Sequence, residues 1–164
     1  MKPGTGSSSV LVIGLGNPIL GDDGVGWRIA SSVKERTHKM RQPIEVDCAS
    51  FGGLRLMERM LGYGRVIIVD AAQTGEHPAG SVQVCSLQEL ADPMSGHTAS
   101  AHDASLGTAL RMAEAMGEPV PARVDILTVE IPCSLEFSED LTPEVAACVP
   151  VATRKAMALL ARDR

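Results

Sequence analysis

The sequence predicts an α/β three-layer sandwich: a mostly parallel five-stranded sheet with one antiparallel strand, held between two layers of helices. Three observations carry this. Residues 10–13 (Val-Leu-Val-Ile) and 66–69 (Val-Ile-Ile-Val) are unbroken apolar runs rich in β-branched residues, as in strands buried on both faces. Amphipathic stretches alternate with such runs, as helical crossovers between parallel strands require. One connection, 71–80, is too short for a helical crossover, so the strand after it should run antiparallel to its neighbour.

Taken in order, residues 1–9 are rich in Gly and Ser and are expected to be disordered, leaving 10–164 as a single α/β domain. The first strand, 10–13, runs into Gly14 and Gly16, which allow a tight turn and a close backbone approach. A helix is expected over 24–37, with Val25, Ile29 and Val33 on its buried face. The second strand is 44–49. A second helix, about 54–61, ends at Gly62 and Gly64. The third strand is 65–70, too continuously apolar for a sheet edge, and stops at Asp70. The polar loop 71–80 leads to a fourth strand at 81–87. Residues 88–101 read as irregular, with Pro93, Gly96 and His97, and are expected to be mobile until a partner binds. A third helix runs from about His102 to Met116 on a stripe of Leu106, Ala109, Leu110, Ala113 and Met116, stopped by Gly117, Pro119 and Pro121. The fifth strand is 124–131. Thr142 as N-cap and Pro143 at the first helical position open a last helix, which Pro150 should kink.

The totals exclude several classes of function. At 164 residues and 17.3 kDa, with 45% hydrophobic residues, the chain can bury the core of one domain. A formal net charge of -5, a pI near 5.3 and 2% aromatics oppose a nucleic-acid surface, which needs basic patches and often stacking rings. No apolar run approaches a membrane span and no charged-then-apolar leader opens the chain, so a cytoplasmic protein is expected. Four scattered cysteines, Cys48, Cys85, Cys133 and Cys148, form no Cys-x-x-Cys and read as buried small residues or free thiols.

Chemistry concentrates where the first strand hands over to the first helix. Asn17-Pro18 makes a turn, and Asp22 and Asp23 follow as an acidic pair. One Asp there suits a helix N-cap, and Asp22 fills that need. Asp23 is surplus to it. The dinucleotide fingerprint fails, because Ile19 stands at the third glycine position and the acids would repel a pyrophosphate. Asp70 ends an apolar strand, and His102 opens a helix. Each also has an ordinary use, Asp70 in the next turn and His102 as a polar helix start. Two carboxylates and an imidazole make a partial shell for a divalent ion, with positions left open.

Gly14, Gly16, Asn17, Asp22, Asp23, Gly24 and Gly26 together resemble the N-terminal signature of the hydrogenase maturation endopeptidases, which trim the C-terminal tail of the large subunit of nickel-iron hydrogenases. The resemblance covers the chain after about residue 9. It implies an aspartyl-type endopeptidase whose partner is the large-subunit precursor, acting as a monomer. Matched position by position, it implies that Asp23, Asp70 and His102 are catalytic and bind the nickel already seated in that precursor, or a divalent surrogate. His97 is the rival to His102 and lacks its small-Leu-Gly helical context. The chain departs from the family after the second strand, where Asp47 is followed by Cys48, Ala49 and Ser50 instead of a Gly-Gly-Thr-like turn, so no role carries over to Asp47. No nucleophile motif accompanies the three residues.

Two other functions fit parts of the pattern. Gly14-Leu15-Gly16-Asn17-Pro18 also opens peptidyl-tRNA hydrolases, but their following Thr-Arg-His-Asn segment is missing and the acidic balance opposes tRNA. A nickel-dependent chaperone that checks the precursor without cutting it would use the same three residues.

Overall fold

The computed structural model describes residues 6–38, 40, 42–91, 101–132 and 137–162, with backbone alone at 6–8, 90–91 and 101–105. Five strands, β1 (Gly6–Leu15), β2 (Ile44–Ala49), β3 (Tyr63–Ala72), β4 (Val82–Ser86) and β5 (Arg123–Glu130), form one sheet in the order β2-β1-β3-β5-β4. All neighbours are parallel except β4 and β5. The short connection after β3 therefore does produce the antiparallel strand. The helices are α1 (Val25–Thr37), α2 (Gly53–Met60), α3 (Leu87–Ala91), α4 (Ala101–Ala115) and α5 (Pro143–Ala161).

Strand alternation builds two cores. Val10, Val12, Ile67, Val69, Leu127 and Val129 face α1 and α5, where they meet Val25, Ile29, Val33, Val145 and Leu160. Leu11, Ile13, Val66, Ile68 and Ile126 face α2, α3 and α4, where they meet Leu56, Met60, Leu87, Leu106 and Leu110. Runs such as 66–69 are continuously apolar because both faces are covered, and each such side chain contributes about 1.5–3 kcal/mol on burial.

Several boundaries differ from expectation. β1 begins at Gly6, so residues 6–9 extend the strand instead of belonging to a disordered leader. Gly6 pairs with Tyr63, with a register shift before Val10, and Ser9 is buried. The Gly/Ser composition hid a strand whose backbone pairs with β3. β3 likewise runs past Asp70 to Ala72, because Ala71 and Ala72 pair with Val129 and Glu130. α3 occupies part of the stretch expected to be irregular, and residues 92–100, with Pro93, Gly96 and His97, lie outside the described residues. α5 continues through Pro150 to Ala161.

This topology fixes where ligands can enter. From β1 the chain moves to β2 on one side, and β3 then lies on β1's other side. α1 and α2 accordingly cover opposite faces. The crevice at such a switch point opens at the carboxyl ends of the two flanking strands, here β1 and β3.

Candidate active site

The turn after β1 is shaped by its glycines. Gly16 has φ +121, and a Cβ there would lie 1.9 Å from the carbonyl oxygen of Asp23. The acidic turn is thus laid directly over the strand end. A Cβ on Gly26 would lie 2.2 Å from the Leu15 oxygen and 2.6 Å from that of Val69, so α1 starts in contact with the ends of both β1 and β3. Asn17 accepts from the Ile19 N–H at 3.2 Å through its own side chain, closing an Asx-type turn. The Asn17 N–H donates to Asp23 Oδ2 at 2.7 Å. Asp23 is half-buried.

Asp22 does not cap α1. It sits in a 3-10 turn, Gly21–Gly24, and the N-cap of α1 is Gly24, without a side-chain bond. Asp22 is buried, and its carboxylate reaches across the chain to the start of α5. Oδ1 accepts from the Thr142 N–H at 2.7 Å and Oδ2 from the Thr142 hydroxyl at 2.9 Å. Thr142 is the N-cap of α5 by backbone geometry, but its hydroxyl serves Asp22 instead of its own helix. Burial pushes the Cys148 thiol up, and the Asp22 charge adds to this.

Asp70 sits within β3 opposite Thr128, half-buried, and its Oδ1 accepts from the Ala71 N–H at 2.8 Å. By alternation it shares the face of Ile68, the side covered by α2 and α4. The 3-10 turn carrying Asp23 packs against β3. Both acids therefore belong to the carboxyl edge at the β1–β3 switch point.

His102 is the second residue of α4 by backbone, and its side chain lies outside the described residues, as does the whole of His97. α4 is followed by a short link to β5 that is pinned at the amino edge, where Gly62 N–H donates to Pro119 O and Ala122 N–H to Gly64 O. The helix thus runs back against the strands, with its first turn toward the carboxyl edge. Among the described residues no three His, Cys, Asp or Glu side chains cluster as a metal site.

The sequence assigns no role to Glu130, because the segment Glu130-Ile131-Pro132-Cys133 stands where the family varies. Glu130 is buried at the end of β5. Its Oε1 accepts from the Thr74 and Gly75 N–H groups and its Oε2 from the Thr74 hydroxyl, all at 2.8 Å. This carboxylate fixes the loop that leaves β3 just after Asp70. The sequence offered little signal, since 124–131 carries Asp125 and Thr128 as well as Glu130 and so lacks the unbroken apolar run that made Asp70 stand out.

Asp47 belongs to a different network. Arg59 Nε donates to its Oδ2 at 2.8 Å, and the same guanidinium bonds Glu45 and Tyr63. Tyr63 also donates to Glu45. Burial works against the Arg59 charge, yet bonds to Tyr63 and Asp47 outweigh it and hold the guanidinium more firmly protonated. Asp47 thus ties β2 to α2. Burial, with the Asp47 charge behind it, also pushes the Cys48 thiol up. Cys48, Cys85 and Cys148 are free thiols, and Cys133 lies outside the described residues.

A mostly parallel five-stranded sheet in the order β2-β1-β3-β5-β4, with helices on both faces, defines an α/β class of protein, and the two-acid turn after β1 and the Asp of β3 lie at its carboxyl edge. The hydrogenase maturation protease family model matches residues 27–159. The Hydrogenase 2 maturation protease of Escherichia coli (strain K12) is 28% identical over 151 residues, which cover 92% of this chain and 90% of that protein. Among solved structures, the hydrogenase maturating endopeptidase HybD from E. coli superposes with a TM-score of 0.74 at 28% identity, covering 94% of this chain and 93% of that one. The [NiFe] hydrogenase maturation protease HybD from Thermococcus kodakarensis shares the fold, with a TM-score of 0.71 at 24% identity over 92% of this chain and 98% of that one. The chain belongs to the hydrogenase maturation protease family and is an enzyme that hydrolyses peptide bonds. Among the described residues no helix is long and apolar enough to cross a membrane.

Proposed function

We propose that this chain makes one cut near the C-terminus of the large-subunit precursor of a nickel-iron hydrogenase, after nickel has been inserted. Nickel is part of the substrate in this reading. Asp23, Asp70 and His102 complete the coordination shell of the ion that the precursor carries, so cleavage depends on prior metal insertion. The observation that carries the proposal is the strand order. It brings the turn of Asp23 and the end of β3 with Asp70 to the same edge of the sheet, the edge toward which α4 presents its first turn, and this supports the reading. Two hard carboxylate oxygens and an imidazole suit a divalent ion and leave room for the precursor's own ligands. The bound ion could act as a handle, or could polarise the scissile carbonyl as a Lewis acid.

The test is a mass measurement on nickel-loaded precursor incubated with the protein. Loss of a short C-terminal peptide from the nickel-loaded form, and not from the nickel-free form, is the expected result. Binding without any mass change would sink the protease assignment for this substrate and favour a chaperone.

A further inference from the structure

We propose that Asp22 and Thr142 form a positioning latch, in which the start of α5 grips Asp22 and thereby sets the direction in which Asp23 points. The inference rests on the reading that Asp23 meets the precursor's nickel. Asp22 is 6% exposed, and among the described residues it has no cationic partner. Its two oxygens are taken by the N–H and hydroxyl of one residue, 120 positions away. Desolvating a carboxylate is costly, and two neutral donors satisfy the group without neutralising it. An apolar contact would anchor α5 more cheaply, so helix anchoring alone is a poor account of a buried acid here.

Local geometry supplies the other account. A 3-10 turn has 3.0 residues per turn, so side chains of adjacent residues diverge by about 120°. Fixing Asp22 toward α5 therefore turns Asp23 away from it. The turn needs such fixing, because two of its four residues, Gly21 and Gly24, are glycines with wide backbone freedom. Residues 137–142 lie along it as a strap. Gly21 N–H donates to Ser138 O at 2.7 Å, Ser138 N–H to Ile19 O at 3.1 Å, and Arg28 Nη2 to Glu139 O at 2.8 Å. Asn17 holds the Asp23 carboxylate from the strand side at 2.7 Å. The acidic turn is thus gripped from both sides, and Thr142 supplies the only two bonds that reach the Asp22 side chain among the described residues.

The test uses the full chain with Cd2+ as the probe ion, followed by titration calorimetry and by the 113Cd chemical shift. Thr142→Val removes the hydroxyl bond and keeps the backbone one. It should fold, weaken Cd2+ binding about 10–100-fold and move the 113Cd shift, the range typical when the partner of a metal ligand is lost. Asp22→Ala should weaken it at least as much if it folds, and Thr142→Val carries the test if it does not. Thr142→Ser should restore binding, because the hydroxyl returns. Asp22→Asn should bind better than Asp22→Ala, because an amide can accept from the Thr142 N–H and donate to its hydroxyl oxygen. A folded Thr142→Val protein with the parent's affinity and shift, or a Thr142→Ser protein as impaired as the valine variant, overturns the latch. Asp23→Asn separates the two ideas. If it abolishes Cd2+ binding while Thr142→Val does not weaken it, the latch alone is wrong. If Asp23→Asn binds Cd2+ as the parent does, the role of Asp23 itself is wrong, and the latch falls with it.

Discussion

Asp23 and Asp70 each accept a hydrogen bond on one carboxylate oxygen from a local backbone N–H, that of Asn17 and Ala71 respectively, and this orients both groups at the sheet edge. An amide can accept the same bond through its carbonyl, so Asn at either position preserves shape and removes charge. Charge is what a divalent ion requires of a hard oxygen ligand. Asp23→Asn, Asp70→Asn and His102→Ala are each expected to lower cleavage of nickel-loaded precursor by about 100-fold or more, exceeding the 10–100-fold typical of a ligand's outer partner. Circular dichroism should report an unchanged fold. Asp22→Asn should be milder, though not because it caps a helix. It can go on holding Thr142. His97→Ala should also be milder than His102→Ala. If Asp22 and His97 prove indispensable while Asp23 and His102 do not, the register within both motifs is wrong.

At the scale of elements, the amino edge of the sheet is locked by charge. Arg65 on β3 donates to Asp125 Oδ2 on β5 from Nε at 3.0 Å and from Nη2 at 2.6 Å, and its Nη1 donates to the Leu159 carbonyl near the end of α5 at 2.9 Å. Arg123 Nε adds a bond to Asp125 Oδ1 at 3.0 Å. Both Arg65 and Asp125 are buried. Removing one partner strands the other charge, so Asp125→Ala should cost about 3–5 kcal/mol. At about 2–4 °C per kcal/mol for a chain of this size, a thermal melt should show a fall of roughly 10 °C. The double change Arg65→Met with Asp125→Leu should recover most of that loss. A double variant as unstable as Asp125→Ala would show that the bond to Leu159, not the ion pair, dominates. Gly26→Ala offers a second check. Its methyl would meet two strand-end carbonyl oxygens closer than 3 Å, with backbone on both sides and no flexible neighbour to yield. A melt within 1 °C of the parent, a shift well under the cost of ordinary overpacking, would contradict that account.

These elements were legible in unequal measure. Strands buried on both faces announced themselves by composition, and the short loop after β3 announced the one antiparallel pair. Elements held by backbone pairing or by distant partners did not. Gly6–Ser9 carry no strand-like side chains, and α3 is a five-residue helix too short to show a period. The same limit applies to the site. Asp23 and Asp70 stood out because each interrupts a local pattern. The partnership of Asp22 with Thr142, and of Glu130 with Thr74 and Gly75, depends on chain segments that meet only in three dimensions. Arg65 and Asp125 escaped notice for the same reason.

For the molecule as a whole, the proposed reading is of a protein that visits a metal instead of keeping one. A resident zinc site is ordinarily closed by four side chains or built from three convergent ones with a supporting shell. Here Cys48, Cys85 and Cys148 are scattered free thiols, and the described Asp and Glu side chains form no three-ligand group among themselves. The three proposed ligands come from separate elements, and in the proposed reading they meet an ion that brings its own partial shell. The purified protein is therefore expected to carry far less than one equivalent of metal, and to bind added nickel, zinc or cadmium weakly and reversibly. Elemental analysis before and after dialysis against a chelator measures both properties. Cleavage should then follow the metal content of the precursor and be indifferent to chelator treatment of the protease alone. Stoichiometric zinc that survives dialysis, with activity lost only when that zinc is stripped, would instead identify a metallopeptidase with its own catalytic ion. The role assigned to the precursor's nickel would then fail while the fold and family stand.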